Sequence, residues 1–198
     1  MARPEESNQR MRDEAKRKIL SAATRVFARK GLAATRMSDI ATEAEVGYGL
    51  IYHYFKSKEE IYQAIIERSI TGLARIYAYV SSLDVTPWER ITIYTDEVMS
   101  GMQREPDMTL LGAQIVTSEV ASSEIRNKVI TNSKQNLLDF QQLVEAGQTA
   151  GQVAAGDPIE LTSIFFAIIG GLGLQLISSG FQETRFPRVE TVLRLLKA

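Results

Sequence analysis

Between Gly47 and Lys58 the chain reads GYGLIYHYFKSK, which crowds hydroxyl-bearing rings, one imidazole and two ammonium groups into a short stretch. The phenols of Tyr48, Tyr52 and Tyr54 and the ring of His53 are hydrogen-bonding groups of moderate reach, and Lys56 and Lys58 are cations. A helix that merely faces water has no folding reason to carry them. Their chemistry is recognition of a polar, anionic surface: phenols donate to phosphate oxygens, an ammonium meets a phosphate as a point charge, and helix residues of this size reach base edges in a DNA major groove. Bond-making chemistry is poorly served. His53 is the sole histidine and there is no cysteine, so a histidine-based nucleophile would stand alone and no thiolate metal site or disulfide is possible. The carboxylates are scattered at cap and surface positions instead of being paired. The expectation is therefore a binding protein, not an enzyme, with no metal and no cofactor.

Two short helices must position these groups. Ile40, Ala41 and Ala44 supply an apolar, small-residue face for the first, and Ile51 and Phe55, four residues apart, supply the partner face of the second. Val46 follows the intervening turn and plugs the angle. This is a helix-turn-helix, and its second helix, Tyr48 to Tyr54, has the dimensions to enter a major groove. Thr35 is placed to cap the first of the two helices, whose N-terminal amides would then point at a phosphate with Ser38 beside them. A preceding helix over about Arg12 to Lys30 carries the buried stripe Ile19, Ala23, Val26 and Phe27, and Gly31 is suited to end it with a positive φ.

The run I-A-x-x-A-x-V-x-x-G-x-I-Y-x-Y-F-x-S-K-E, from Ile40 to Glu59, resembles the DNA-binding segment of the TetR family of transcriptional regulators. The likeness covers about the first third of the chain. It implies an all-α protein: an N-terminal three-helix domain containing the helix-turn-helix, then a C-terminal helical bundle for effector binding and dimerisation. By the same resemblance the chain is a cytoplasmic regulator, a repressor more readily than an activator. As a homodimer it would hold a palindromic double-stranded DNA operator and release it on binding a small, largely apolar effector. The candidate DNA-binding residues are Thr35, Ser38, Gly47, Tyr48, Gly49, Tyr52, His53, Tyr54 and Lys58. Glu45 departs from the pattern, because glycine is usual at that turn position, and a positive φ there costs a non-glycine residue about 1 kcal/mol. Two other readings stay open: a regulator of this fold that answers a protein partner or no ligand, and an architectural DNA-binding protein without regulatory function.

Charge supports the placement of the nucleic-acid surface. The formal net charge of the 198 residues is −1, yet residues 1–60 hold 12 basic and 9 acidic side chains while residues 61–198 hold 11 and 15. The polar start, MARPEESNQRMRDEAKRK, has no apolar signal core. Residues 1–11 read as a flexible arm with Arg3 and Arg10 in it, 12–57 as the DNA-binding domain and 58–198 as the effector-binding and dimerisation domain.

Beyond Lys58, a long helix through Ile61, Ile65, Ile66, Ile70 and Leu73 is the natural lever between the two domains. Thr86-Pro87-Trp88-Glu89 is a capping box that starts another helix, and Asp157-Pro158-Ile159-Glu160 repeats the device. The helix that follows, IELTSIFFAIIGGLGLQLISSG, approaches the roughly 20 apolar residues a membrane span needs. Glu160, Thr162, Ser163 and Gln175 interrupt it, and no other feature points to a membrane. Its glycines suit close helix packing better than phosphate binding, since no strand precedes them and no lysine follows. Helices at about 158–180 and 187–197 are expected to form the homodimer interface. Tyr77, Trp88, Tyr94, Met99, Met102, Met108, Gln114 and Phe140 are the candidate effector liners, although Met and aromatic residues at helical spacing serve equally well as plain core.

Overall fold

The computed structural model describes residues 4–117, 123–179 and 186–198, and Arg3 lies outside them. All the main elements are helices: α1 (Pro4–Ala34), α2 (Met37–Glu43), α3 (Tyr48–Tyr54), α4 (Lys58–Ser82), α5 (Pro87–Arg104), α6 (Pro106–Thr117), α7 (Ser123–Thr149), α8 (Pro158–Ser178) and α9 (Val189–Val192), which runs into a 3-10 turn over Leu193–Leu195. The chain forms two compact units, and among the described residues the division falls inside α4, after Arg68.

In the first unit α1 starts at Pro4, so residues 4–11, expected as a flexible arm, are helical. Regular helix ends at Gly31, whose φ of 73° is the positive value the sequence suggested. Ile19, Ala23, Phe27, Ile40, Ala44, Ile51, Phe55, Ile61 and Ile65 are buried together, and the Phe27 and Tyr62 rings meet edge to face at 5.3 Å. The apolar positions of α1, α2, α3 and the first turns of α4 thus converge on one core, as their spacing requires. Two ion pairs tie α1 to α2: Arg25 Nε lies 2.6 Å from Glu43 Oε1 and Lys30 Nζ 3.2 Å from Asp39 Oδ1. The Arg25 hydrogen bond holds the Glu43 carboxyl below its ordinary range. The Arg36 backbone N–H does the same for Asp39, with help from Lys30.

The second unit is built on α5, α7 and α8. Phe140 and Phe165 stack at 3.9 Å with an 11° angle between planes, and Tyr94 leans on both at 5.2 and 6.3 Å. The Thr86 capping box is formed as the sequence predicted: Glu89 N–H donates to Thr86 Oγ1 at 3.3 Å and Thr86 N–H donates back to Glu89 Oε2 at 2.8 Å. Asp157 caps α8 by accepting the Ile159 N–H at 2.8 Å. Of the α8 glycines only Gly173 serves packing within the chain, since a Cβ there would lie 3.3 Å from Thr109 Cγ2 on α6, whereas Gly170 and Gly171 face open space. The last helix is shorter than expected. Val192, Leu193 and Leu196 turn into the protomer's own core, and the strand-like bridge between Val153 and Lys197 holds the chain end beside the α7–α8 connection. Those apolar groups are therefore spent within the second unit, while Leu195 of the same segment stays 61% exposed.

Candidate nucleic-acid interface and pocket

α3 is where most of the candidate DNA-binding side chains come together. Ile51 is fully buried, which orients the helix, and at 3.6 residues per turn the other positions follow. Tyr48 and Tyr52 share one flank, Gly49 and His53 lie opposite Ile51, and Leu50 and Tyr54 share the other flank. Gly47, Tyr48, Gly49, Leu50, Tyr52 and His53 are all exposed, and Tyr54 is half-buried. The Tyr48 and Tyr52 hydroxyls are 3.2 Å apart and their rings meet at 5.1 Å, so one side chain braces the other. That shared hydrogen bond pushes the Tyr52 phenol above its ordinary pKa. His53 packs edge to face on Tyr54 at 5.1 Å. Neither Gly47 nor Gly49 has positive φ, and a Cβ on either would touch nothing within 4 Å. The chain's own conformation and packing therefore make no demand for glycine at these two positions.

The turn before α3 places Glu45 at a φ of 51°, the one positive value at a non-glycine position among the described residues. Its neighbours do not relax it. Ala44 and Glu45 N–H groups donate to Ile40 and Thr42 carbonyls at 2.8 and 3.1 Å, and Val46 N–H reaches the Ala41 carbonyl at 3.1 Å. Those bonds fix the backbone that carries α3 away from α2. A Lys18 to Glu45 ion pair at 3.5 Å spans the surface above it.

Two of the sequence-predicted contacts point elsewhere. Thr35 is buried, and its hydroxyl donates backwards to the Gly31 carbonyl at 2.7 Å. Arg36 is the N-cap residue of α2, with its backbone N–H held by Asp39 Oδ2 at 2.9 Å. The Lys58 ammonium donates to the carbonyls of Leu32, Ala33 and Thr35 at 2.8, 3.0 and 2.9 Å. An ammonium has three protons, and all three are used. Beyond Gly31 these carbonyls have lost their helical partners, and the cation also suits the negative end of the α1 dipole. Ser38 remains exposed on the first turn of α2. Lys16, on α1, sits 5.6 Å above the Phe55 ring. Leu50, to which the sequence analysis gave no role, is 39% exposed on the α3 surface. Its signal was available: an aliphatic residue next to Gly49 on a helix whose core positions were already assigned.

The candidate effector liners are dispersed within the second unit. Tyr94, Met99 and Phe140 are buried in its core, Tyr77, Trp88 and Met102 are half-buried against that core, and Met108 and Gln114 are half-buried on α6. Burial drives the Tyr94 phenol far above its ordinary pKa, so it stays protonated. Tyr77 donates to Gln142 Oε1 at 2.6 Å, and the Trp88 backbone N–H donates to Gln152 Oε1 at 3.1 Å. A pocket of about 280 Å³ opens where α5 passes the segment entering α9, lined by Asp96, Met99, Ser100 and Gln103 on one side and Phe186, Arg188 and Glu190 on the other. Met99 is the one predicted liner among these. Among the described residues no cluster of His, Cys, Asp or Glu is arranged to hold a metal ion.

A three-helix unit that turns a braced, tyrosine-rich α3 to solvent is the arrangement of a helix-turn-helix DNA-binding unit. The family model for bacterial regulatory proteins of the tetR family matches residues 19–65, the segment that holds the helix-turn-helix. It is 29% identical over 158 residues to the HTH-type transcriptional regulator YfiR of Bacillus subtilis, covering 78% of this chain and 76% of that one. It is 35% identical over 74 residues to the HTH-type transcriptional repressor Rv3405c of Mycobacterium tuberculosis, a match that spans 37% of this chain and 39% of the relative's length. The fold matches FadR from Bacillus subtilis in complex with stearoyl-CoA with a TM-score of 0.68 at 22% identity, over 90% of this chain and 95% of that one. The chain is thus a transcriptional regulator and not an enzyme.

Proposed function

We propose that the chain is a cytoplasmic, homodimeric repressor that reads a palindromic operator through α3 and leaves it when a small effector occupies the second unit. The observation that carries this reading is the outward face of α3. Tyr48, Gly49, Tyr52 and His53 are exposed there, while Ile51 alone of that helix is buried. Gly47, Tyr54 and Ser38 would border the contact. Thr35 and Lys58 would act behind it, by holding the end of α1 in place.

Dimerisation is assigned to α7 and α8. Ile164, Ala167, Gly171 and Leu174 recur at intervals of three and four on the exposed side of α8, and Ile130, Leu137 and Leu138 are exposed on α7, the helix α8 packs against. By length and composition α8 passes as a membrane span, with 28% of its apolar window buried. Covering by the same helices of a second copy suits a DNA-binding regulator and fits the open backbone at Gly170 and Gly171. Two α3 helices related by a two-fold axis would match half-sites about 34 to 36 Å apart or more.

FadR from Bacillus subtilis holds stearoyl-CoA, which joins an acyl chain to a charged group. The pocket beside α5 likewise combines Met99 and Phe186 with Asp96, Arg188 and Glu190. An amphiphilic effector fits that lining better than a wholly apolar one. For the response, α4 carries residues of both units and is the element through which occupancy would change operator affinity, which requires the effector to prefer one of two states. The test is selection of bound duplexes from a random pool by the full-length chain. Enriched sites with two-fold symmetry are expected. Sites without symmetry would remove the dimer from this reading, and no enrichment would remove the DNA-binding reading itself.

A further inference from the structure

We infer that Leu50 is a specificity-determining residue, reading the 5-methyl group of a thymine in each half-site. The inference rests on the proposed DNA-binding face of α3 and names one element of what that face recognises. Leu50 is 39% exposed, with Tyr48 at 54% and Tyr52 at 45% on the opposite flank of the same helix. The exposed groups on the two flanks differ chemically. Tyr48 and Tyr52 end in hydroxyls that suit phosphate oxygens or base acceptors, whereas Leu50, whose flank-mate Tyr54 is half-buried, offers only methyl groups and cannot bond to a phosphate.

Folding does not account for the position. The inward face of α3 is supplied by Ile51, and the C-cap Phe55 is buried next to it, so the first unit already has its core without Leu50. An exposed aliphatic group on a helix that enters a major groove has one favourable base-edge partner, the thymine methyl, which alone makes a base pair apolar there. Gly49 strengthens the case. It precedes Leu50, its backbone is unstrained, and a Cβ on it would meet nothing within 4 Å. The missing side chain lets the helix backbone settle close to the groove floor, where a side chain as short as leucine reaches a methyl group.

The test uses the full-length chain and a duplex enriched from the random pool. Each thymine is replaced in turn by deoxyuridine, which removes the methyl and keeps Watson–Crick pairing, and binding is followed by fluorescence anisotropy with native protein and with Leu50→Ala. At one thymine per half-site, deoxyuridine should weaken native binding about fourfold, the equivalent of about 0.8 kcal/mol for one buried methyl group. Leu50→Ala should bind the thymine duplex more weakly and show no difference between thymine and deoxyuridine there, with an unchanged melting curve. The inference is overturned if no thymine is methyl-sensitive, if Leu50→Ala keeps the same sensitivity, or if it loses affinity equally for every duplex, as a leucine against the sugar backbone would. Failure of the pool to enrich any duplex overturns the DNA-binding reading and this inference with it, an outcome distinct from the other three.

Discussion

The Lys58 ammonium lies 2.9 Å from the Thr35 carbonyl, so two residues that the sequence assigned to DNA are hydrogen-bonded to each other instead. Lys58 also takes the Leu32 and Ala33 carbonyls, while the Thr35 hydroxyl closes on Gly31. Four atoms around the end of α1 are thereby satisfied by groups 23 to 26 residues away or by the local turn, and the start of α4 is pinned to the start of α2.

Lys58→Met keeps the aliphatic stem and removes the charge and its three donors. Charge-assisted hydrogen bonds of this kind contribute about 1.5–3 kcal/mol each where buried, and the half-exposed site reduces the total to about 1–3 kcal/mol for the first unit. Hydrogen exchange at residues 28–35 should accelerate correspondingly. The slope of DNA affinity against salt should stay as in the native chain, because no phosphate contact is lost. A slope reduced by about one ion would mean that Lys58 swings out to the backbone.

Glu45 holds a φ of 51° in the turn. Glu45→Gly should stabilise the first unit by about 0.5–1 kcal/mol, the left-handed strain being relieved and the extra chain entropy only partly offsetting it. Loss of the exposed Lys18 pair subtracts little. Glu45→Val, with a branched Cβ, should destabilise. Urea titration of the three proteins, followed by helical circular dichroism, orders them. Val above native would contradict the turn geometry.

Leu174, 62% exposed on α8, is the position at which to probe the proposed dimer. Leu174→Glu leaves the protomer core untouched and places two like charges across a two-fold contact, which costs several kcal/mol. Sedimentation should report monomer where the native chain reports dimer, at unchanged helix content. A native chain that sediments as a monomer would count against α7 and α8 as an interface.

Acid sensitivity of the first unit has a definite sign. Asp39 and Glu43 have carboxyls lowered from ordinary values of 3.8 and 4.5 by the Arg36 amide and the Arg25 guanidinium. Their contribution is complete above the unfolded-state values and is lost as pH falls through 4.5 and on toward the lowered folded-state values. Glu43→Gln should reduce native stability at neutral pH and flatten the decline below pH 4.5, read from thermal melts across the acid range.

The sequence by itself was enough for the all-helical class, for the helix-turn-helix and for the Thr86 capping box, because each depends on local spacing: Ile51 and Phe55 one turn apart, Gly31 at a helix end, Thr and Glu three residues apart. It also placed the side chains of α3, since one buried residue on a seven-residue helix sets the direction of all the others. What it left undecided depends on residues far apart in the chain. Only the tertiary structure decided that Lys58 faces the end of α1 and not the solvent, that Tyr94 and Phe140 close on Phe165 instead of lining a cavity, and that Val192, Leu193 and Leu196 fold back into their own protomer. A cation near a helix end and an aromatic at helical spacing each have two chemically adequate partners, and which one is met depends on how distant elements pack, something local pattern does not encode.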